Sequence, residues 1–121
     1  VLLMNETESI HYSRKETARE AAQDFAARGC MAVVKMGKKG ALCCRAGKVW
    51  TKAGFSVEAV DTTGAGDSFN AGFVYGFLKG LDPDSALELG NGCGALSCTG
   101  LGGNTMFPGW DRLQAFIKAQ K

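Results

Sequence analysis

The 121-residue chain carries almost no surplus of charge: fourteen basic against twelve acidic side chains leave a net +2. That is too weak a field to hold a polyanion, so nucleic acid and anionic membranes are poor partners. No apolar stretch approaches the roughly 20 residues that cross a bilayer. The opening residues lack the succession of charged, apolar and small residues that marks a secretory signal. A soluble, cytoplasmic protein is the expectation. The five cysteines (Cys30, Cys43, Cys44, Cys93, Cys98) are odd in number and show no CxxC spacing, which excludes a zinc ribbon or a disulfide framework. Cys43 and Cys44 on a strand would face opposite sides, so they are read as small buried hydrophobes. No Gly-Lys-Ser/Thr follows the glycines, which removes a P-loop. The glycine pattern is not GxGxxG, which argues against a dinucleotide-binding dehydrogenase. The one histidine, His11, has no partner pattern and is assigned to the surface, and Trp50 and Trp110 are assigned to packing.

What the chain has in excess is glycine, 17 residues, clustered where turns and close backbone approaches are needed. The most informative cluster reads Asp61-Thr-Thr-Gly-Ala-Gly-Asp67 and runs straight into a helix-forming stretch beginning at Ser68. The amides of Gly64, Ala65 and Gly66 can converge on an anion at the start of that helix, where unpaired N–H groups and the dipole favour phosphate. Asp67 stands beside this cradle as a carboxylate able to deprotonate an attacking hydroxyl.

Along the chain, Val1 to Met4 reads as a strand. Ser13 and Glu16 make a capping-box pattern opening a helix whose stripe is Ala18, Ala21, Ala22 and Phe25, with Gly29 as its stop. Met31 to Met36 reads as a buried strand, and turns at residues 37–40 and 46–47 give strands from Ala41 to Arg45 and Val49 to Lys52. A last strand from Phe55 to Val60 would deliver the chain to the glycine-rich turn. Phe69, Phe73 and Phe77 should face the core, with Gly72 and Gly76 admitting a close neighbour. Asp82-Pro83 starts a helix running to about Cys98. Thr99 to Pro108 reads as a loop and Trp110 to Lys118 as a closing helix. The order implies an α/β sheet layered with helices.

With these motifs in place, the chain resembles the C-terminal part of the ribokinase-like (PfkB) carbohydrate kinases. The segment from Asp61 through Gly72 is similar to that family's C-terminal signature. Asn5-Glu-Thr-Glu8 looks like its Asn-x-x-Glu motif, and residues 33–41 resemble its nucleotide-side strand and turn. Asn91 to Pro108 looks like its adenine-side helix and cation loop. The resemblance implies a three-layer α/β/α fold, mostly parallel with a hairpin, of which residues 1–121 form a single C-terminal nucleotide-binding and catalytic portion. The lid and the N-terminal half with most sugar contacts are absent from this stretch. That leaves a homo-oligomer, or the missing half, as expected partner surface.

The resemblance also implies roles. Asp67 would be the general base and Gly64, Ala65 and Gly66 the anion hole for a phosphate passing from ATP to a sugar or nucleoside-like acceptor. Lys35, Gly37, Gly40 and Asn91 would lie near the nucleotide. Asn5 and Glu8 would act on Mg2+ by way of its waters. Asp61, with the carbonyls of Thr63, Cys98, Leu101 and Gly103, would hold a monovalent cation such as K+. A second expectation, of another class, is a non-catalytic nucleotide-binding or interaction module derived from such a kinase.

Overall fold

The computed structural model describes residues 1–55, 64–98 and 110–120. The chain divides into two compact units, Val1–Ala53 and Gly54–Lys121.

The first unit runs β1 (Leu2–Asn5), α1 (Glu6–Ser13), α2 (Ala18–Ala27), β2 (Ala32–Lys35), a 3-10 turn at Gly37–Lys39, β3 (Ala41–Arg45) and β4 (Lys48–Lys52). Its sheet has the order β1-β2-β3-β4. β1 and β2 are parallel, with Asn5 opposite Lys35 at their carboxyl ends, whereas β2–β3 and β3–β4 are antiparallel. Parallel pairing is thus confined, among the described strands, to the one connection long enough for a crossover, the α1–α2 segment. The short connections that follow can only reverse the chain. Between β3 and β4, Ala46 and Gly47 take φ of 50° and 81°, the paired positive angles of a type I′ hairpin.

Strand alternation sends Ala32 and Val34, with Leu42 and Cys44, to the face covered by Ala18, Ala22 and Ala26 of α2. Alanines on α2 let the helix lie close to the sheet. Val33, Ala41 and Cys43, which alternate with these, are equally buried, so β2 and β3 read as continuous apolar runs. The cysteines carry no disulfide. Burial pushes the Cys43 thiol up to about 11 and the Cys93 thiol up to about 12, which keeps both neutral and unreactive.

Two helix starts differ from the sequence expectation. Ser13 does not cap α2: it ends α1, and Arg14 leaves that helix with a left-handed φ of 61°. The cap of α2 is Thr17, whose Oγ1 accepts from the Glu20 N–H at 3.1 Å and donates to Glu20 Oε1 at 3.2 Å. The Ser/Thr-x-x-Glu pattern occurs at both places, and the one adjoining the alanine stripe prevails. The helix α1 itself was not foreseen. It begins on a capping box in which Asn5 Oδ1 accepts from the Glu8 N–H at 2.7 Å and Glu8 Oε1 accepts from the Asn5 N–H at 2.9 Å. Asn5→Ala is expected to cost the first unit about 1 kcal/mol in chemical denaturation; an unchanged midpoint would contradict the box as a source of stability.

The second unit contains α3 (Ala65–Leu78), α4 (Pro83–Cys98) and α5 (Trp110–Gln120). As expected, Asp82 opens α4: its Oδ1 accepts from the Ser85 N–H at 2.7 Å, with Pro83 in the first turn. Phe69 and Phe73 are buried and stacked, with ring centroids 6.3 Å apart, but Phe77 is 37% exposed and does not join the core. Each residue turns a helix by about 100°, so a strict spacing of four drifts roughly 40° per step and carries the third phenylalanine off the buried face. Leu87, Leu89 and Leu96 of α4 and Leu113 and Ile117 of α5 complete the apolar interior. Beyond Phe55, the expected strand to Val60 lies outside the described residues, as does the loop from Thr99 to Pro108.

Candidate active site

Gly64 is the N-cap of α3, with φ 80° and ψ 0°, a left-handed conformation that glycine adopts without steric cost. As a glycine, Gly64 has no side chain with which to cap this helix. The first ladder bond is donated by Ser68 N–H to the Gly64 carbonyl, at 2.9 Å. The amides of Ala65, Gly66 and Asp67 therefore precede the ladder and have no intrahelical acceptor. By contrast, Asn5, Thr17 and Asp82 each place a side-chain oxygen on the corresponding amide of α1, α2 and α4. The N–H of the cap residue Gly64 precedes the ladder too, so the expected Gly64, Ala65 and Gly66 are among the four amides without an intrahelical acceptor, and Asp67 contributes an amide as well as a carboxylate. Gly64, Gly66 and Asp67 are exposed. A bound anion would meet these N–H groups at the positive end of a 14-residue helix.

Behind this turn α4 packs at backbone distance. A Cβ on Gly72 would lie 2.7 Å from both the Leu89 carbonyl oxygen and Cys93 Sγ, and one on Gly94 would lie 3.3 Å from the carbonyl oxygen of Ala65. A Cβ on Gly90 would press on the Phe69 ring at 2.7 Å. The glycines of the two helices thus let α4 brace the first turn of α3. Asn91, also on α4, is only 7% exposed, and Cys98 ends α4, half-buried. Of the expected cation ligands only Cys98 is described; Asp61, Thr63, Leu101 and Gly103 lie outside the described residues.

In the first unit, the structure brings Asn5, Glu8, Lys35, Gly37 and Gly40 to the carboxyl ends of the parallel strands β1 and β2, the edge at which open α/β sheets take ligands. Lys35 is half-buried opposite Asn5. Gly37 and Gly40 both have positive φ, 59° and 101°, and Gly40 is buried. The turn between them is closed by Met36 N–H donating to the Gly40 carbonyl at 2.8 Å. Glu8 is exposed, with Oε1 engaged in the capping box. No group of three or more His, Cys, Asp or Glu side chains could hold a metal among the described residues. That donor set does not suit a metal caged by protein. It fits a magnesium ion carried on phosphates and reached through water, for which one exposed carboxylate suffices.

One pair escaped the sequence reading. Lys39, in the Gly37–Gly40 turn, makes an ion pair at 3.1 Å with Glu6, the first residue of α1. The two stand 33 residues apart, so no local pattern could have joined them.

Against known proteins, residues 1–110 match the profile of the pfkB family carbohydrate kinases. A ribokinase of Haemophilus influenzae is 35% identical over 114 residues, which is 89% of this chain and 37% of the relative. The crystal structure of a ribokinase from Thermotoga maritima superposes with a TM-score of 0.85 and 34% identity, over 97% of this chain and 41% of that one. A fructokinase from Vibrio cholerae, solved with fructose, ADP and calcium ion, gives 0.82 and 32% identity, over 95% and 40%. The chain therefore spans about two-fifths of the length of the relatives it matches.

Proposed function

From the premise that this chain belongs to the pfkB family of carbohydrate kinases, we propose that it forms the nucleotide-binding and catalytic portion of an ATP-dependent sugar kinase. The observation that carries the reading is the uncapped start of α3, with Asp67 in its first turn. Asp67 takes the proton from an acceptor hydroxyl as that oxygen bonds to the γ-phosphorus of ATP and the bond to the β-phosphate oxygen breaks, releasing ADP. The amides of residues 64–67 stabilise the charge on the phosphoryl oxygens in transit, an electrostatic contribution usually larger than that of the base.

Lys35, Gly37, Gly40 and Asn91 serve the nucleotide. Gly37 and Gly40 do so because a side chain there would obstruct it, and the φ of 101° and ψ of −138° at Gly40 are closed to other residues. Asn5 and Glu8 would hold Mg2+ by way of its waters, and the ion would offset the negative charge of the phosphates. A monovalent cation such as K+ at Asp61 and the carbonyls of Thr63, Cys98, Leu101 and Gly103 would brace the anion hole from behind. The acceptor is a sugar or similar small alcohol. A cytoplasmic location, where ATP is abundant, suits this reaction.

A second reading is a nucleotide-binding or interaction module without turnover, derived from such a kinase. Calorimetry with ATP and Mg2+, run beside a turnover assay on a panel of sugars, separates the two. For this stretch alone, nucleotide binding with turnover far below that of a complete kinase is expected. Failure to bind nucleotide would remove both readings.

A further inference from the structure

We propose that Glu6 and Lys39 act as a positioning pair that sets the angle of the Gly37–Gly40 turn for the nucleotide, an inference that rests on the kinase reading above. Lys39 Nζ lies 3.1 Å from each carboxylate oxygen of Glu6, so one ammonium bridges both. Glu6 directly follows the Asn5 cap and is the first residue of α1. Lys39 is the last residue of the 3-10 turn that follows β2. Parallel pairing of β1 and β2 places the two departures from the sheet side by side, since Asn5 and Lys35 are register partners.

Among the described residues, the main-chain bonds inside the turn join Met36, Gly37, Lys39 and Gly40, and the Lys35–Ala41 pairing of β2 with β3 anchors its stem. They fix its internal shape but not its inclination to α1. Gly37 and Gly40 at positive φ make the turn easy to pivot on its stem. The Glu6–Lys39 bridge supplies the missing constraint, since it ties the turn to the helix that carries Asn5 and Glu8. It thereby sets the nucleotide-side turn and the magnesium-side cap in one frame. The Lys39 side chain is 68% exposed, so water and salt screen the pair and its effect is modest.

The test uses this chain with ADP and with ATP–Mg2+ in calorimetry, together with amide hydrogen exchange at Lys39 and Gly40. Glu6→Gln and Lys39→Gln are each expected to weaken nucleotide binding by about two- to fivefold and to speed exchange at the two amides. The double variant Glu6→Gln/Lys39→Gln is expected to bind no more weakly than Lys39→Gln alone, because the pair acts as one unit. Losses that multiply in the double variant would show Lys39 working on the phosphates independently of Glu6 and would overturn the proposal. Unchanged affinity and exchange in the single variants would overturn it too. A native chain that binds no nucleotide would overturn the kinase reading and this inference with it, so the two failures are distinguishable.

Discussion

Asp67→Asn, placed in a chain completed to the length of its relatives, is expected to lower phosphoryl transfer by about 10²–10⁴-fold. Asparagine matches aspartate in size, so the first turn of α3 keeps its geometry and its uncapped amides. What disappears is the basicity that removes the hydroxyl proton. Nucleotide affinity should change little, by about twofold at most, because phosphate is proposed to rest on N–H groups rather than on this carboxylate. Removing the negative charge from a helix start costs roughly 0.3–1 kcal/mol of stability, too little to unfold the unit. The decisive comparison is kcat against the calorimetric Kd. Turnover within a few-fold of the parent would take Asp67 out of the role of base and leave the amides as the main catalytic device.

Gly72→Val is expected to destabilise the second unit by about 1–3 kcal/mol, the usual range for forcing atoms into a filled interior. Even the first added carbon would sit 2.7 Å from a backbone oxygen, that of Leu89, which cannot swing aside as a side chain could. Valine in place of glycine would otherwise favour a helix, so a net loss isolates the packing penalty. The displacement should also reach the site. α4 braces α3 at Gly72 and again at Gly94 against the Ala65 carbonyl, and opening the seam would tilt the amides proposed to receive phosphate. Weaker nucleotide binding together with a lower denaturation midpoint is the expected result. A variant as stable as its parent would show that the two helices are not in backbone contact.

Much of the fold was legible because its signals are local. The alanine stripe at 18, 21 and 22, the turns at 37–40 and 46–47, and Asp82 before Pro83 each act through neighbours within about one turn of chain. The glycine-aspartate cluster was legible for the same reason, as cap, amides and carboxylate are consecutive. Where two local signals competed, the reading failed: Ser13 and Thr17 offer the same capping chemistry. Asn5 and Glu8, read for metal chemistry, also turned out to be the box that starts α1.

The amino-acid order alone determined the family, the carboxylate beside an uncapped helix start, and the two glycines that bound the nucleotide-side turn. These are properties of short segments and survive whatever packs around them. Tertiary structure decided which phenylalanines are buried, how closely α4 approaches α3, and that Lys39 meets Glu6. Each of those depends on where residues far apart in sequence come to rest, and distances across a packed interior are fixed only when the strands pair and the helices settle.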